Sequence, residues 1–112
     1  MHELSLTQNI VAIVAEAAKG RRVTRVTLEI GKLSGVMSDA VAFCFDVVAQ
    51  GTAVEGASLE IHEIDGLARC EACGLEFAAE TLFDPCPCGS IRSKPIGGEE
   101  LIVKSMEMME TA

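Results

Sequence analysis

Tryptophan and tyrosine are absent from this chain, and four phenylalanines supply all of its aromatic surface. Proteins that hold single-stranded nucleic acid stack bases on aromatic rings, and that platform is missing here. Cations are scarce as well: nine lysines and arginines stand against 17 acids, for a formal net charge of −8. Phosphate backbones are bound mainly through cationic contacts, so this balance excludes general nucleic-acid binding. No apolar run approaches the roughly 18 residues that cross a bilayer. The start, Met1-His2-Glu3, carries a carboxylate where a secretory leader carries lysine or arginine, and no unbroken apolar segment follows. The expectation is a cytoplasmic protein that binds neither membrane nor nucleic acid.

What is present is enough for a folded domain. The chain has 112 residues and is 49% hydrophobic, the size of one ordinary domain or of a small domain with an appendage. Leu6, Ile10, Ile13/Val14 and Ala17 recur at helical spacing and predict a helix over 4–19. Ser5 and Gln8 have the spacing of a capping box, and Gly20 is placed to end that helix. Residues 23–31 alternate instead, with Val26, Leu28 and Ile30 on one face, as in a half-buried strand. Gly31 to Gly35 reads as a turn. A second helix is expected over 38–50, with Ser38 as its N-cap, Gly51 as terminator, and Val41, Phe45 and Val48 sharing one face.

Residues 57–64 alternate again, with Leu59 and Ile61 inward, and a last strand is expected over 99–109. In that strand Leu101 and Val103 fall on one side, and Ile102, Met106 and Met108 on the other. Between these two strands the composition changes. Residues 66–98 hold four of the five cysteines, all three prolines and five of the ten glycines. So few large apolar side chains cannot offset the entropy of ordering the segment, and it needs a staple. The expected fold is α+β: a small two-helix, three-stranded sheet domain formed by 1–65 plus 99–112, with an inserted zinc-ribbon subdomain at 66–98.

The staple is legible in the cysteines. Cys70-Glu-Ala-Cys73-Gly74 is a zinc knuckle, in which two intervening residues let both sulfurs face one ion and the glycine permits the tight turn. Twelve residues later comes Cys86-Pro87-Cys88-Gly89, where one residue separates the thiols, so the turn is shorter and its amide–sulfur bonding must differ. Clustered cysteines in a reducing compartment point to metal or redox chemistry rather than to structural disulfides. Four thiolates form a closed tetrahedral zinc site with no open position for catalysis. An alternative site would use one thiol of the second pair, with Asp84 or water as fourth ligand. A dithiol redox reading of Cys70 and Cys73 leaves the second pair unexplained. A DNA-reading ribbon is disfavoured by three cations (Arg69, Arg92, Lys94) against four acids (Glu71, Glu76, Glu80, Asp84) over 69–95.

His2 is one of two histidines. A free Met1 amine, the His2 amide nitrogen and its imidazole would close fused chelate rings on one ion. All-nitrogen donors of this kind suit Ni(II) or Cu(II) rather than zinc. A histidine at that position is more often simply a solvated terminal residue. His62, beside Glu60, is expected to be solvated on the polar face of its strand. Cys44 and the methionines at 106, 108 and 109 read as packing rather than as ligands.

Three stretches occur together here: Met1-His2-Glu3-Leu4-Ser5-Leu6, Val26-Thr27-Leu28-Glu29-Ile30-Gly31-Lys32-Leu33-Ser34-Gly35-Val36 and Phe43-Cys44-Phe45-Asp46-Val47-Val48. The two cysteine pairs and then Gly97-Gly98-Glu99-Glu100-Leu101 follow them. In this order they closely resemble the HypA/HybF family of nickel metallochaperones for [NiFe]-hydrogenase maturation, over essentially the whole chain. The resemblance implies a transient Ni(II) site at Met1, His2 and Glu3, with His2 the indispensable side chain, Met1 supplying its amine and Glu3 forming or bordering the site. It implies structural Zn(II) on Cys70, Cys73, Cys86 and Cys88. It implies partners too: the GTPase HypB and the hydrogenase large-subunit precursor, with urease maturation served by some members. The family's second knuckle is usually Cys-Pro-x-Cys, and this chain is one residue shorter there. Two other functions compete: a zinc-ribbon protein–protein adaptor that delivers no metal, and a dithiol oxidoreductase.

Overall fold

The computed structural model describes residues 3–110. Along the chain run α1 (Glu3–Ala18), β1 (Val23–Gly31), α2 (Ser38–Val48), β2 (Ser58–Ile64), β3 (Gly66–Cys70), β4 (Glu76–Ala79), β5 (Ser93–Gly97) and β6 (Leu101–Met108). Two three-stranded sheets result, in the orders β2-β1-β6 and β4-β3-β5. The final strand therefore completes the first sheet, as the sequence pattern predicts. No helix among the described residues is long and apolar enough to cross a membrane.

The chain forms two compact units. One takes in the chain through Leu28, then Val36–His62 and the residues from Val103 onward; the other is Glu29–Gly35 with Glu63–Ile102. In the first unit α1 packs on α2. Its buried apolar side chains come from α1 (Ile10, Val11, Val14, Ala18), α2 (Val41, Phe45), β1 (Val23, Val26, Leu28) and the segment after α2 (Ala49, Val54, Ala57). The Val23 amide donates to Ala53 at one end of β1 and the Lys32 amide to Ile64 at the other. Strands β1 and β2 thus run in the same direction, with α2 as the crossover that parallel strands require.

Several local expectations are corrected. The buried stripe of α1 is Thr7, Ile10, Val11, Val14 and Ala18, while Ile13 is 59% exposed and Ala17 is exposed. The stripe is rotated because Thr7 takes a core place, its hydroxyl donating to the Glu3 carbonyl at 2.6 Å and so needing no other partner. The helix already runs from Glu3, so Ser5 lies inside it and caps nothing. At α2 the N-cap is Met37, in extended conformation and with no side-chain cap bond; Ser38 is already helical and its buried hydroxyl has no partner. The Met37 amide instead donates to Glu3 Oε2 at 3.1 Å, so a carboxylate from α1 ties down the entrance of α2. In β6, Leu101, Val103, Met106 and Met108 are all half-buried and Ile102 is 44% exposed.

The second unit contains the β4-β3-β5 sheet. Strand β3 is central and antiparallel to both neighbours, with Arg69 facing Glu76 on one side and Lys94 on the other. Its apolar cluster is small: Leu33, Ala68 and Ala79, with Phe77 partly buried against them. A cluster of this size falls far short of the burial that a self-sufficient domain needs. The same unit brings three glycines into backbone contact. A Cβ on Gly31 would sit 2.0 Å from the Gly98 carbonyl oxygen, and one on Gly98 would sit 2.6 Å from the Asp65 oxygen and the Gly66 Cα. Lys32 bonds Asp65 at 2.9 Å beside this junction, and that ion pair holds the Lys32 pKa above its ordinary value.

Candidate metal centre

Cys70 ends β3, and the chain then turns through Ala72 and Cys73 to Gly74. The Gly74 amide closes the turn on the Cys70 carbonyl at 3.0 Å, and Gly74 has φ +79°, a conformation that favours glycine. The second pair is built the same way one residue shorter. The Gly89 amide donates to the Cys86 carbonyl at 2.8 Å, Gly89 has φ +95°, and the Cys86 amide donates to Ser90.

These two turns bring four sulfurs together. Cys70 Sγ lies 3.7 Å from Cys88 Sγ and Cys73 Sγ 3.6 Å from Cys86 Sγ, and all four thiol sulfurs lie within 4.8 Å of one another. With zinc–sulfur bonds of about 2.3 Å, a regular tetrahedron has edges of about 3.8 Å. The two closest separations match that edge. They are far longer than a disulfide bond of about 2.05 Å, and all the cysteines are free. The donor set therefore fits a closed four-thiolate zinc site. Cys70 and Cys86 are buried and Cys73 and Cys88 exposed, so each pair contributes one buried residue and one exposed residue.

Backbone dipoles prepare the sulfurs unequally. Cys70 Sγ accepts the amides of Ala72 at 3.3 Å and Cys73 at 3.5 Å, whereas Cys86 Sγ accepts the Cys88 amide alone, at 3.5 Å. The shortened knuckle thus has room for one such bond where the longer one makes two. The Cys73 amide first, then that of Ala72, outweigh burial and bring the Cys70 thiol down to about 6. At Cys86 the single amide favours the thiolate, but burial and the neighbouring thiols prevail and push it up to about 12. A bound dication would reverse that penalty by replacing the proton.

Asp84 is not one of the converging groups. Its Oδ1 accepts the Thr81 hydroxyl at 2.6 Å and its Oδ2 the Glu80 amide at 2.8 Å, which lowers its pKa and locks the turn that precedes the second pair. Among the described residues, the four cysteines are the sole cluster of metal-ligating type. His62 is exposed and bonds Glu60 at 2.7 Å, a local surface pair that lowers the Glu60 pKa. Cys44 is half-buried on α2, away from any such cluster. Met1 and His2 lie outside the described residues. Glu3 is placed: its carboxylate holds the Met37 amide, a tie between segments 34 residues apart that no sequence periodicity signals.

Comparison with known proteins follows the same outline. A family model described as "Hydrogenase/urease nickel incorporation, metallochaperone, hypA" matches residues 1–108. The hydrogenase maturation factor HypA of a Nostoc species is 58% identical over 110 residues, covering 98% of this chain and 97% of that protein. The factor of the same name from Geobacter metallireducens is 50% identical over 109 residues, covering 96% and 99%. Among solved structures, that of the Ni metallochaperone HypA from Helicobacter pylori superimposes with a TM-score of 0.69 at 25% identity, over 99% of this chain and 100% of that one.

Proposed function

Because this chain belongs to the HypA family of nickel-incorporation metallochaperones for hydrogenase maturation, we propose that it binds Ni²⁺ at its N-terminus and delivers the ion to the [NiFe]-hydrogenase large-subunit precursor. One observation carries the reading: the family match begins at residue 1 and runs through both cysteine pairs. Nickel is here the cargo. The Met1 amine, the His2 amide nitrogen and the His2 imidazole supply the nitrogen donors that Ni²⁺ prefers, and binding displaces protons from them. Glu3 acts by position. With its carboxylate engaged by the Met37 amide, it fixes the start of α1 from which the donor residues precede.

Cys70, Cys73, Cys86 and Cys88 hold structural Zn²⁺, which supplies the folding energy that the small core of the second unit lacks. In this reading the 66–98 segment is the zinc-binding insert and no catalytic step occurs on the chain. HypB and the precursor are its partners, with urease maturation a further client pathway, and the cytoplasm is its location. A site that draws on the terminal amine and a single side chain suits a carrier, because a client's ligands can dismantle it.

His2→Ala should lower nickel affinity at least about tenfold, one lost imidazole donor being worth 1.4 kcal/mol or more, while the zinc content stays at one per chain. Metal analysis after dialysis reads both quantities. Hydrogenase activity of cells that depend on this chain should fall with the variant and recover when nickel is supplied in excess. Unchanged nickel affinity in His2→Ala would remove the N-terminal site from the account. A second reading, an adaptor without metal delivery, is favoured by Leu82 and Phe83, which stand 52% and 83% exposed on the turn locked by Asp84. It predicts full client activation by His2→Ala.

A further inference from the structure

The second unit carries a groove that neither metal uses. It has a volume of about 410 Å³, and its walls include Ile64, Ile96 and Ile102, each roughly four-tenths exposed. Glu29, Glu99 and Glu100 complete its lining, with three carboxylates and no cation among the side chains that form it. The floor is glycine backbone at Gly31, Gly97 and Gly98. Because a Cβ on Gly31 would overlap the Gly98 carbonyl, the hollow is set by close backbone packing and not by a missing side chain.

We propose that this groove docks an extended cationic segment of a partner protein, one in which lysine or arginine alternates with aliphatic residues. Isoleucine surface of this extent costs free energy in water and is recovered when a partner covers it. The aliphatic stem of an arginine or lysine lies naturally on such a wall while its head reaches a rim carboxylate. Exposed Glu99 and Glu100 provide that rim. A metal ion is a poor occupant: the cysteine group alone, among the described residues, converges three or more ligand atoms on one point. Strand addition is also disfavoured, because β5 is an edge strand containing Pro95, which removes a backbone donor from that edge. Recognition is therefore by side chains, and it stands apart from nickel loading.

The test uses the zinc-loaded full chain and a short fluorescein-labelled peptide alternating arginine with isoleucine, followed by anisotropy at physiological ionic strength. The peptide should bind, and Glu99→Lys combined with Glu100→Lys should weaken it at least about tenfold. Reversing two carboxylates that do not line the groove, Glu16→Lys with Glu110→Lys, changes the net charge equally and should alter affinity less than about twofold. A peptide with serine for isoleucine should bind at least about tenfold more weakly, and His2→Ala should bind the original peptide as the native chain does. Retention of bound zinc by the Glu99/Glu100 variant shows that its metal centre is intact. Equal loss with the Glu16/Glu110 reversal, equal binding of the serine peptide, or no binding of the original peptide overturns the proposal.

Discussion

Withdrawal of zinc should unfold the unit formed by Glu29–Gly35 and Glu63–Ile102 while the α1–α2 unit keeps its helices. Besides Ile30 and the Cys70 and Cys86 thiols, the second unit buries only Leu33, Ala68, Ala79 and part of Phe77 as apolar side chains. Against it stands the conformational entropy lost in ordering the 47 residues of the unit. Structural zinc contributes an apparent free energy of roughly 10–16 kcal/mol in small four-ligand domains. Without the ion, a folded unit would keep the Cys70 and Cys86 thiols buried with no metal to offset that burial. A strong chelator, or Cys70→Ser, should therefore abolish the dispersed amide resonances of β3, β4 and β5 and leave those of α1 and α2. Loading releases protons, so zinc affinity falls as pH is lowered. Persistence of the β3–β5 resonances in metal-free protein would contradict this account of the fold.

The next largest effect is expected at the glycine junction. Gly98→Ala places a Cβ 2.6 Å from two backbone atoms at a residue with φ +77°, and Gly31→Ala places one 2.0 Å from the Gly98 oxygen. Neither neighbour is a flexible side chain that can swing away. Left-handed strain of about 1–2 kcal/mol combines with overpacking of about 1–3 kcal/mol at Gly98, and overpacking alone acts at Gly31. A destabilisation on the order of 3 kcal/mol follows for Gly98→Ala. Gly56→Ala is the control, since Gly56 has φ +80° but open space around it and should lose about 1 kcal/mol. Denaturant midpoints of zinc-loaded protein read the difference. Equal midpoints for Gly98→Ala and Gly56→Ala would show that the junction is not close-packed in solution.

The main elements were legible because each carries its own period. Residues 23–31 alternate and form β1, and Val41 and Phe45 recur at helical spacing and are buried in α2. The convergence of Cys70, Cys73, Cys86 and Cys88 was legible from ligand spacing, since two short turns suffice to bring their sulfurs together. What escaped depends on contacts between distant segments. Thr7 displaced Ile13 from the stripe of α1 by satisfying its hydroxyl locally, a choice that hydropathy alone does not weigh. Ser38 looked like a cap, yet the entrance of α2 is held by Glu3 from another helix. The short strands β3, β4 and β5 have four or five residues each, too few for a period to stand out among cysteines, prolines and glycines. The junction of Gly31, Gly66 and Gly98 is likewise invisible locally, since a glycine needed for close approach looks like any turn glycine.

The central claim is that nickel is carried at the terminus of the chain and not at its cysteine centre. The most direct measurement is a calorimetric nickel titration of zinc-loaded, untagged protein, set against the same chain with one extra residue before Met1. The extension leaves every side chain in place but moves the free amine out of the chelate. The account predicts one nickel bound per native chain, with the extended chain weaker by at least about tenfold. Equal nickel binding by both chains, or displacement of zinc by the added nickel, would contradict it.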